Sequence, residues 1–382
     1  MRPAIKSGLL PVWRDRDTLQ IGIDPRRAVA LSGMGQAAPL IGLLDGSRDR
    51  DQVIAAAAGR GIPVEATERV LTLLAAGGAL DDFPAGTLRA LPSPLRAKLA
   101  PELATTSLAR RDADGGARAL ARRRAAVVTI EGDRRIGRAI ARILSASGIG
   151  RVRFARMLAD DQDGTAASGT PATASSSSGA RPELGPGTGN RTERAPGTGN
   201  RPDPRQPTGP GTRPGPGQPT RPGTRARGRS RSRPPCRPDL VILVGDRPAD
   251  HASDLTRERI AHLAVMASEA IGIVGPLVVP GRTACLRCLD YVRAGNDPAW
   301  PLILAQIRRR RPEPAACDAV LAAAVAAQAA AQALTAIETA PIASAAASGT
   351  LELVLPDWRW RRRTWPPHPA CPCTSTPSGN RQ

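Results

Sequence analysis

The stretch that decides the fold is "AAVVTIEGDRRIGRAIARILSASGIGRVRF", residues 125 to 154. An apolar run to Ile130 reads as a strand, the glycine after it as a turn, Ile136, Ile140, Ile143 and Leu144 as a helix stripe, and "RVRF" as a second strand. In that order they open a Rossmann-type βαβ unit. The G-x-G-x-x-G fingerprint of such units is damaged here. Gly132 and Gly137 match its first and third glycines, but Arg134 replaces the second, where the backbone must come close to a pyrophosphate. The second strand continues "RVRFAR", without an acid to hold a ribose. Arg134 and Arg135 remain as cations that can meet phosphates; the other reading is a structural βαβ unit that has lost its ligand.

Downstream, "DLVILVGD" (239–246) reads as a buried parallel strand, followed by a helix around Leu255 to Ala267. "AIGIVGPLVVPGRTACLRC" (270–288) then runs as apolar strands into a turn carrying Cys285 and Cys288. Strand-rich sequence resumes beyond residue 238, so residues 126–162 and 239–382 are expected to form one α/β domain. Residues 163–238 interrupt it as an insertion. That insertion is rich in Gly, Pro, Ser and Thr, repeats "PGTGNR" at 186 and 196, and carries 13 Arg against 4 Asp or Glu, which is +9 of the net +20. Its lack of aromatic and near lack of aliphatic residues predicts a disordered basic linker, with nonspecific polyanion adhesion rather than base recognition. Cys236 at its edge reads as a free thiol.

Upstream, residues 1–85 form a separate unit. "LLPVW" and "TLQIGIDPRRAVALSG" read as three short strands, the last two meeting at the Asp24-Pro25 turn. Three helices follow: about Ala37 to Leu44, one capped by Ser47 and ending at Gly59 to Gly61, and one opening near Pro63 and stopping at Gly77-Gly78. Three strands and then three helices predict a small winged-helix fold. Residues 86–125 read as a charged helical connection. With 382 residues and 41% apolar composition, the chain can bury cores for two such domains. The N-terminus has no long apolar run, and the most apolar later stretch, 319 to 337, is mainly alanine broken by Gln328 and Gln332. A cytoplasmic protein without membrane insertion is expected.

In that compartment, paired cysteines favour metal binding over disulfides. Cys285 and Cys288 form C-x-x-C, and Cys371 and Cys373 form C-x-C more than eighty residues later. Four thiolates from two turns make a closed tetrahedral site for Zn²⁺ that would pin the C-terminal segment to the body. The competing readings are a redox C-x-x-C and incidental free thiols. His368 stands near as a substitute ligand or an exposed loop residue.

Two resemblances add to this reading. The N-terminal order, with "LLDGSRDRDQVIAAA", resembles the PqqD-like leader-peptide recognition element of enzymes that modify ribosomal peptides. That resemblance implies a peptide added as a strand beside the third helix, on a surface including Val29, Leu31, Val70 and Leu74; at each position the competing role is core packing. "GPLVVPGRTACLRCLD", "DPAWP", the alanine-rich helix, "LELVLPD" and "HPACPC" resemble the ThiF/MoeB superfamily of ubiquitin-activating-type adenylyltransferases. More narrowly, they are similar to ThiF-like partner proteins of thiazole/oxazole-modified peptide clusters. The resemblance implies an α/β protein in which a winged helix precedes a Rossmann-like ThiF domain with a zinc-stapled C-terminus, the ligands being Cys285, Cys288, Cys371 and Cys373. The final C-x-C departs from the commoner C-x-x-C, so its last cysteine is the least secured of the four.

The same resemblance implies ATP and magnesium in active members. Here the glycine loop is degenerate, the ribose acid is missing, and Asp246 is the one candidate magnesium ligand near a strand end. That is too few correctly placed charges for adenylation. Cys317 before Asp318 suits either an acyl-accepting thiol at a helix N-terminus or a small buried residue. The clusters "RRRR" at 308 and "RWRRR" at 359 read as solvated faces, the second also as a partner surface with Trp358, Trp360 and Trp365. These readings lead to a noncatalytic protein that binds a precursor leader peptide and presents it to a cyclodehydratase, with a homodimer among its expected partners. The alternatives are an ATP-dependent adenylyltransferase and, more weakly, a nucleic-acid binder acting through its arginines.

Overall fold

The computed structural model describes residues 1–82, 92–155, 237–245, 249–309 and 316–374. The insertion 163–238, apart from its last two residues, lies outside them, as do Cys236, Asp246 and part of the 308 arginine cluster.

The N-terminal segment begins with β1 (Pro3–Ile5), β2 (Pro11–Trp13), β3 (Leu19–Ile21) and β4 (Val29–Leu31). Strands β2, β3 and β4 form the expected three-stranded antiparallel sheet, with β4 at one edge. The first expected helix is a 3-10 turn over Ala38–Leu43. Helix α1 (Arg50–Ala58) is capped by Asp49 rather than Ser47. Asp49 accepts from the Gln52 backbone while the Gln52 side chain accepts from that of Asp49, a reciprocal pair that Ser47 cannot offer. Helix α2 (Val64–Ala76) follows Pro63, and β5 (Leu80–Asp82) returns to pair antiparallel with β1, a pairing the sequence did not announce. Leu19, Ile21, Leu31, Leu40, Val53 and Leu74 are among the residues of the core beneath this sheet.

Helices α3 (Ser93–Arg110) and α4 (Ala117–Ala125) lead into the second sheet. It is built from β6 (Val127–Gly132), helix α5 (Arg134–Ala146), β7 (Arg151–Phe154), β8 (Leu240–Val244), helix α6 (Ala249–Arg257), β9 (His262–Ser268) and β10 (Ile271–Val278). Helices α7 (Leu286–Asn296), α8 (Trp300–Arg309) and α9 (Ala319–Glu338) follow, then β11 (Gly349–Val354) and β12 (Arg359–Thr364). The strand order is β12-β11-β10-β9-β8-β6-β7; β7, β6, β8 and β9 run parallel and the rest antiparallel. The helix expected to reach Ala267 is corrected: it stops at Arg257, and His262–Ser268 is a strand buried between β8 and β10. A central strand is covered on both faces, so it reads as a continuous apolar run that periodicity does not separate from a helix.

Helices α5 and α9 cover one face of this sheet. The alanines of α9 let it lie close: a Cβ on Gly272 of β10 would stand 2.4 Å from Val325 Cγ2. Among the described residues, α9 is the one helix long and apolar enough to cross a membrane, and half of that stretch is buried against the protein. Its C-terminal Glu338 is buried and holds three helices together. It receives Arg123 of α4 at 2.5 Å and Arg110 of α3, while Arg123 also reaches Glu102 at 2.9 Å and the Ser147 carbonyl at 2.8 Å. A second buried cation, Lys6, ties the N-terminal segment to α3 through Asp81 (2.8 Å) and Ser107 Oγ (2.7 Å).

Removing one partner from a buried ion network strands the others. Glu338→Gln is expected to cost roughly 3–5 kcal/mol of unfolding free energy, measured by chemical denaturation. His262 supplies a second expectation. It is fully buried, its Nδ1 lies 3.0 Å from the Ile260 carbonyl, and its Nε2 finds no partner among the described residues. Burial lowers its pKa from 6.5 to about 4. The unfolded chain therefore takes a proton near pH 6.5 that the folded chain refuses until about pH 4. Stability is full above 6.5, falls between those values, and has lost ~3 kcal/mol below them. In His262→Leu, the drop in stability between neutral and acid pH should shrink by about that amount.

Candidate functional site

The four paired cysteines converge. Cys285 caps the N-terminus of α7 and Cys288 lies in its first turn, so the C-x-x-C pair opens a helix, not the turn expected from the sequence. Cys371 and Cys373 come from the segment after β12: Cys371 closes a turn, its N–H donating to the His368 carbonyl at 2.9 Å, and Cys373 lies in a short 3-10 helix, Pro372–Thr374. The four sulfurs lie within 4.8 Å of one another, with Cys285 to Cys288 at 3.8 Å, Cys285 to Cys371 at 3.6 Å and Cys288 to Cys373 at 3.4 Å. These separations are far longer than a disulfide bond. Four sulfurs bound at about 2.3 Å to one tetrahedral ion stand about 3.8 Å apart, so the donor set fits a thiophilic divalent metal. Three of the four are buried and Cys373 is half-buried.

The cluster's charge distribution shows what a cation would relieve. Hydrogen bonding from Cys285 pulls the Cys288 thiol down to about 4. The same bond, with burial, pushes Cys285 upward, and burial with the Cys288 contact raises Cys373 to about 12. Burial and the neighbouring sulfurs together oppose deprotonation of the whole cluster, and a positive charge among the four sulfurs would favour it. His368 is not in this group: its ring stacks on Tyr291 at 5.0 Å and its Nδ1 accepts from Ala370 N–H at 3.2 Å. Trp365, read from sequence as part of an exposed surface, is 2% exposed against the cysteines. Its indole donates to Thr350 Oγ1 at 2.9 Å, and Arg363 and Arg293 lie over its ring at 4.2 and 5.7 Å.

The C-terminal end of the parallel strands, where α/β sheets bind ligands, is built differently. Gly132 has φ +95°, and a Cβ there would meet the Val244 carbonyl at 1.8 Å; this glycine serves the approach of β8. Gly137 packs on Ile130 and Phe154. At the start of α5, the carboxylate of Asp133 accepts from Ile136 N–H at 2.8 Å, placing a negative charge where a phosphate would sit. Arg135 donates to the Cys317 carbonyl at 2.7 Å, and Glu131 pairs with His251 of α6. The chain's only lysines are committed elsewhere: Lys6 is the buried staple, and Lys98 of α3 lines a shallow groove with Arg142, Ser145 and Phe154. Among the described residues this end does not fit a triphosphate. Cys317 is half-buried, and burial raises its pKa, the opposite of an activated thiol.

At the N-terminal sheet, Leu31, Val70 and Leu74 are 0%, 3% and 0% exposed and lie in the core. Val29 is half-buried, its Cγ2 filling the space beside Gly77. Ala30 of β4 and Leu73 of α2 are exposed, Leu73 by 44%. The signal for Leu73 was an apolar residue one position off the stripe that Val70 and Leu74 define.

No family model matches the chain, and no curated protein sequence does. Solved structures do match its fold. The heterocyclase TruD aligns with a TM-score of 0.58 at 16% identity, over 98% of this chain and 42% of that one. E. coli MccB with AMPCPP and MccA aligns with 0.57 at 13% identity, over 98% and 100%. MccB in complex with N-formylated MccA gives 0.55 at 14% identity, over the same shares. The chain spans about two fifths of the length of the heterocyclase chains and the full length of MccB. The mixed α/β fold is thus that of heterocyclase- and MccB-type proteins, at very low identity.

Metal analysis of the purified protein is expected to return one thiophilic ion per chain, and Cys288→Ser to return none. Chelation should change the fluorescence of Trp365, which lies against the site.

Proposed function

We propose that the chain is a noncatalytic, cytoplasmic recognition protein: residues 1–85 bind the leader of a ribosomally made precursor peptide, and the remainder presents it to a partner cyclodehydratase. The carrying observation is a strand edge, β4, unpaired among the described residues and beside α2, in a chain whose fold matches a heterocyclase and an MccB crystallised with the peptide MccA. A leader would add to β4 through backbone hydrogen bonds and rest its side chains on Val29, Ala30 and Leu73, over the buried floor of Leu31, Val70 and Leu74. In this reading residues 1–85 form a winged-helix element, 86–125 a helical connection, and 126–162 with 239–382 a ThiF-like Rossmann domain. The metal of the cysteine cluster is zinc and its role structural, since four protein sulfurs leave no open coordination position. The buried staples at Lys6 and Glu338 support the presenting role, because they fix the β1–β5 pair to α3 and α3 to α9.

The second reading, an ATP-dependent adenylyltransferase, is favoured by the likeness to an MccB solved with AMPCPP. The Asp133 carboxylate at the start of α5, where a phosphate would sit, counts against it.

One pair of measurements separates them. The purified chain should bind the leader encoded beside its gene and show no ATP–pyrophosphate exchange with that peptide present. Leu73→Glu, at an exposed position, should weaken leader binding about tenfold or more while leaving the melting temperature unchanged. Peptide-dependent exchange, or leader affinity indifferent to Leu73, would overturn the proposal.

A further inference from the structure

Among the described residues, the last strand of the second sheet, β12, pairs only with β11 and leaves its other edge open. All six of its residues, "RWRRRT", are exposed; Trp360 among them is 37% exposed and Trp358, just before them, 43%. An edge strand presents alternate backbone N–H and C=O groups outward, and proteins ordinarily blunt such an edge by shortening, bulging or covering it. Here six residues run in unbroken register with β11 and carry four arginines and no acid. Three of these guanidiniums are already set along the strand. Arg361 lies 3.0 Å from Asp357, Arg362 donates to the Ala345 carbonyl at 2.8 Å, and Arg363 stacks on Trp365. The edge is therefore free of bulges and positively charged.

We infer that β12 is a docking edge for an extended acidic segment of a partner protein, which adds to the sheet as an eighth strand. Charge selects this occupant over the others the chain offers. A second copy in antiparallel pairing would bring two four-arginine strands together, and like charges directly opposite destabilise a strand pair. The chain's own insertion carries 13 Arg against 4 acids and is repelled in the same way. A nucleic acid would satisfy the arginines, but it has no complement for a row of backbone donors and acceptors. An acidic strand satisfies both. The inference does not rest on leader recognition, which concerns the other sheet.

The test uses the full-length protein and synthetic peptides: acetyl-Gly-Glu-Val-Glu-Val-Glu-Val-Gly-amide, a lysine counterpart, and an equally acidic peptide whose valines are prolines. The acidic valine peptide should slow amide exchange at residues 359–364 and bind more weakly as salt rises from about 50 to about 200 mM. Its affinity should fall about tenfold or more in the double variant Arg359→Glu, Arg361→Glu, and persist in Arg359→Lys, Arg361→Lys. Leu73→Glu should leave it unchanged, which keeps this outcome apart from leader binding. Equal binding by the proline peptide, or by an oligouridylate without protection of the β12 amides, would reduce the edge to a polyanion patch and overturn the inference. Failure of the acidic valine peptide to protect β12 at all would overturn it too.

Discussion

Two segments 86 residues apart meet through sulfur, and the C-terminal half of the molecule is arranged around that meeting. Cys285 starts α7 and Cys371 follows β12, so their contact fixes both the helix after the central strands and the segment after the last strand. Trp365 lies between these constraints, buried against the sulfurs and hydrogen-bonded to Thr350 of β11. Without the sulfur contact, β12 would be an all-exposed strand attached only to β11. With it, the strand is held at both ends: by its turn from β11 and by the indole that follows it. The small, alanine-rich core supplies few aromatic anchors, and a metal-fitting cluster does the work that a larger apolar core does elsewhere.

The other end of the sheet has been built for closure between strands. β6 and β8 approach until the Val244 carbonyl fills the space where any residue but glycine at 132 would place its Cβ. The first turn of α5 satisfies its own N–H group with Asp133. Gly132 stands where a nucleotide-binding loop has its first glycine, the one that serves the tight turn, and here it admits a neighbouring carbonyl. Retention of the glycine therefore says nothing about a ligand, and the surrounding charges are the informative part.

Much of this was legible in the sequence because the relevant patterns are local. The stripe of Ile136, Ile140 and Leu144 specifies α5, and Asp318 marks the start of α9, where its side chain accepts from Leu321 N–H at 2.7 Å. The spacing of Cys285 with Cys288 and of Cys371 with Cys373 foretold a cluster whose convergence only the fold could supply. Several misreadings share one cause: they depended on what covers a residue. His262–Ser268 has no period because sheet neighbours and helices cover it on every side. Val70 and Leu74 carry the same apolar signal as Leu73, yet only Leu73 faces solvent. Trp365 reads like Trp358 and Trp360, but it follows the strand at the point where the chain turns under the sulfurs. The β1–β5 pair joins residues nearly eighty apart, with no turn to announce it.

The net charge of +20 is the feature most easily misread, and the folded residues show why. Almost all of the cationic charge is arginine, Lys6 and Lys98 being the exceptions. Arginine's planar fork does several things here that an ammonium ion does less well. Arg123 bridges Glu338, Glu102 and the Ser147 carbonyl from one buried guanidinium, and Arg293 stacks over Trp365 beside the sulfur cluster. These cations are structural members, committed to internal acceptors and rings. A formal charge count treats them as equal to an arginine in solvent, and so overstates what the ordered part of the chain offers to a polyanion. The exception is where arginines stand in a row with backbone groups facing outward between them. There the charge has a direction and a spacing, and those two properties, rather than its total, decide what can bind.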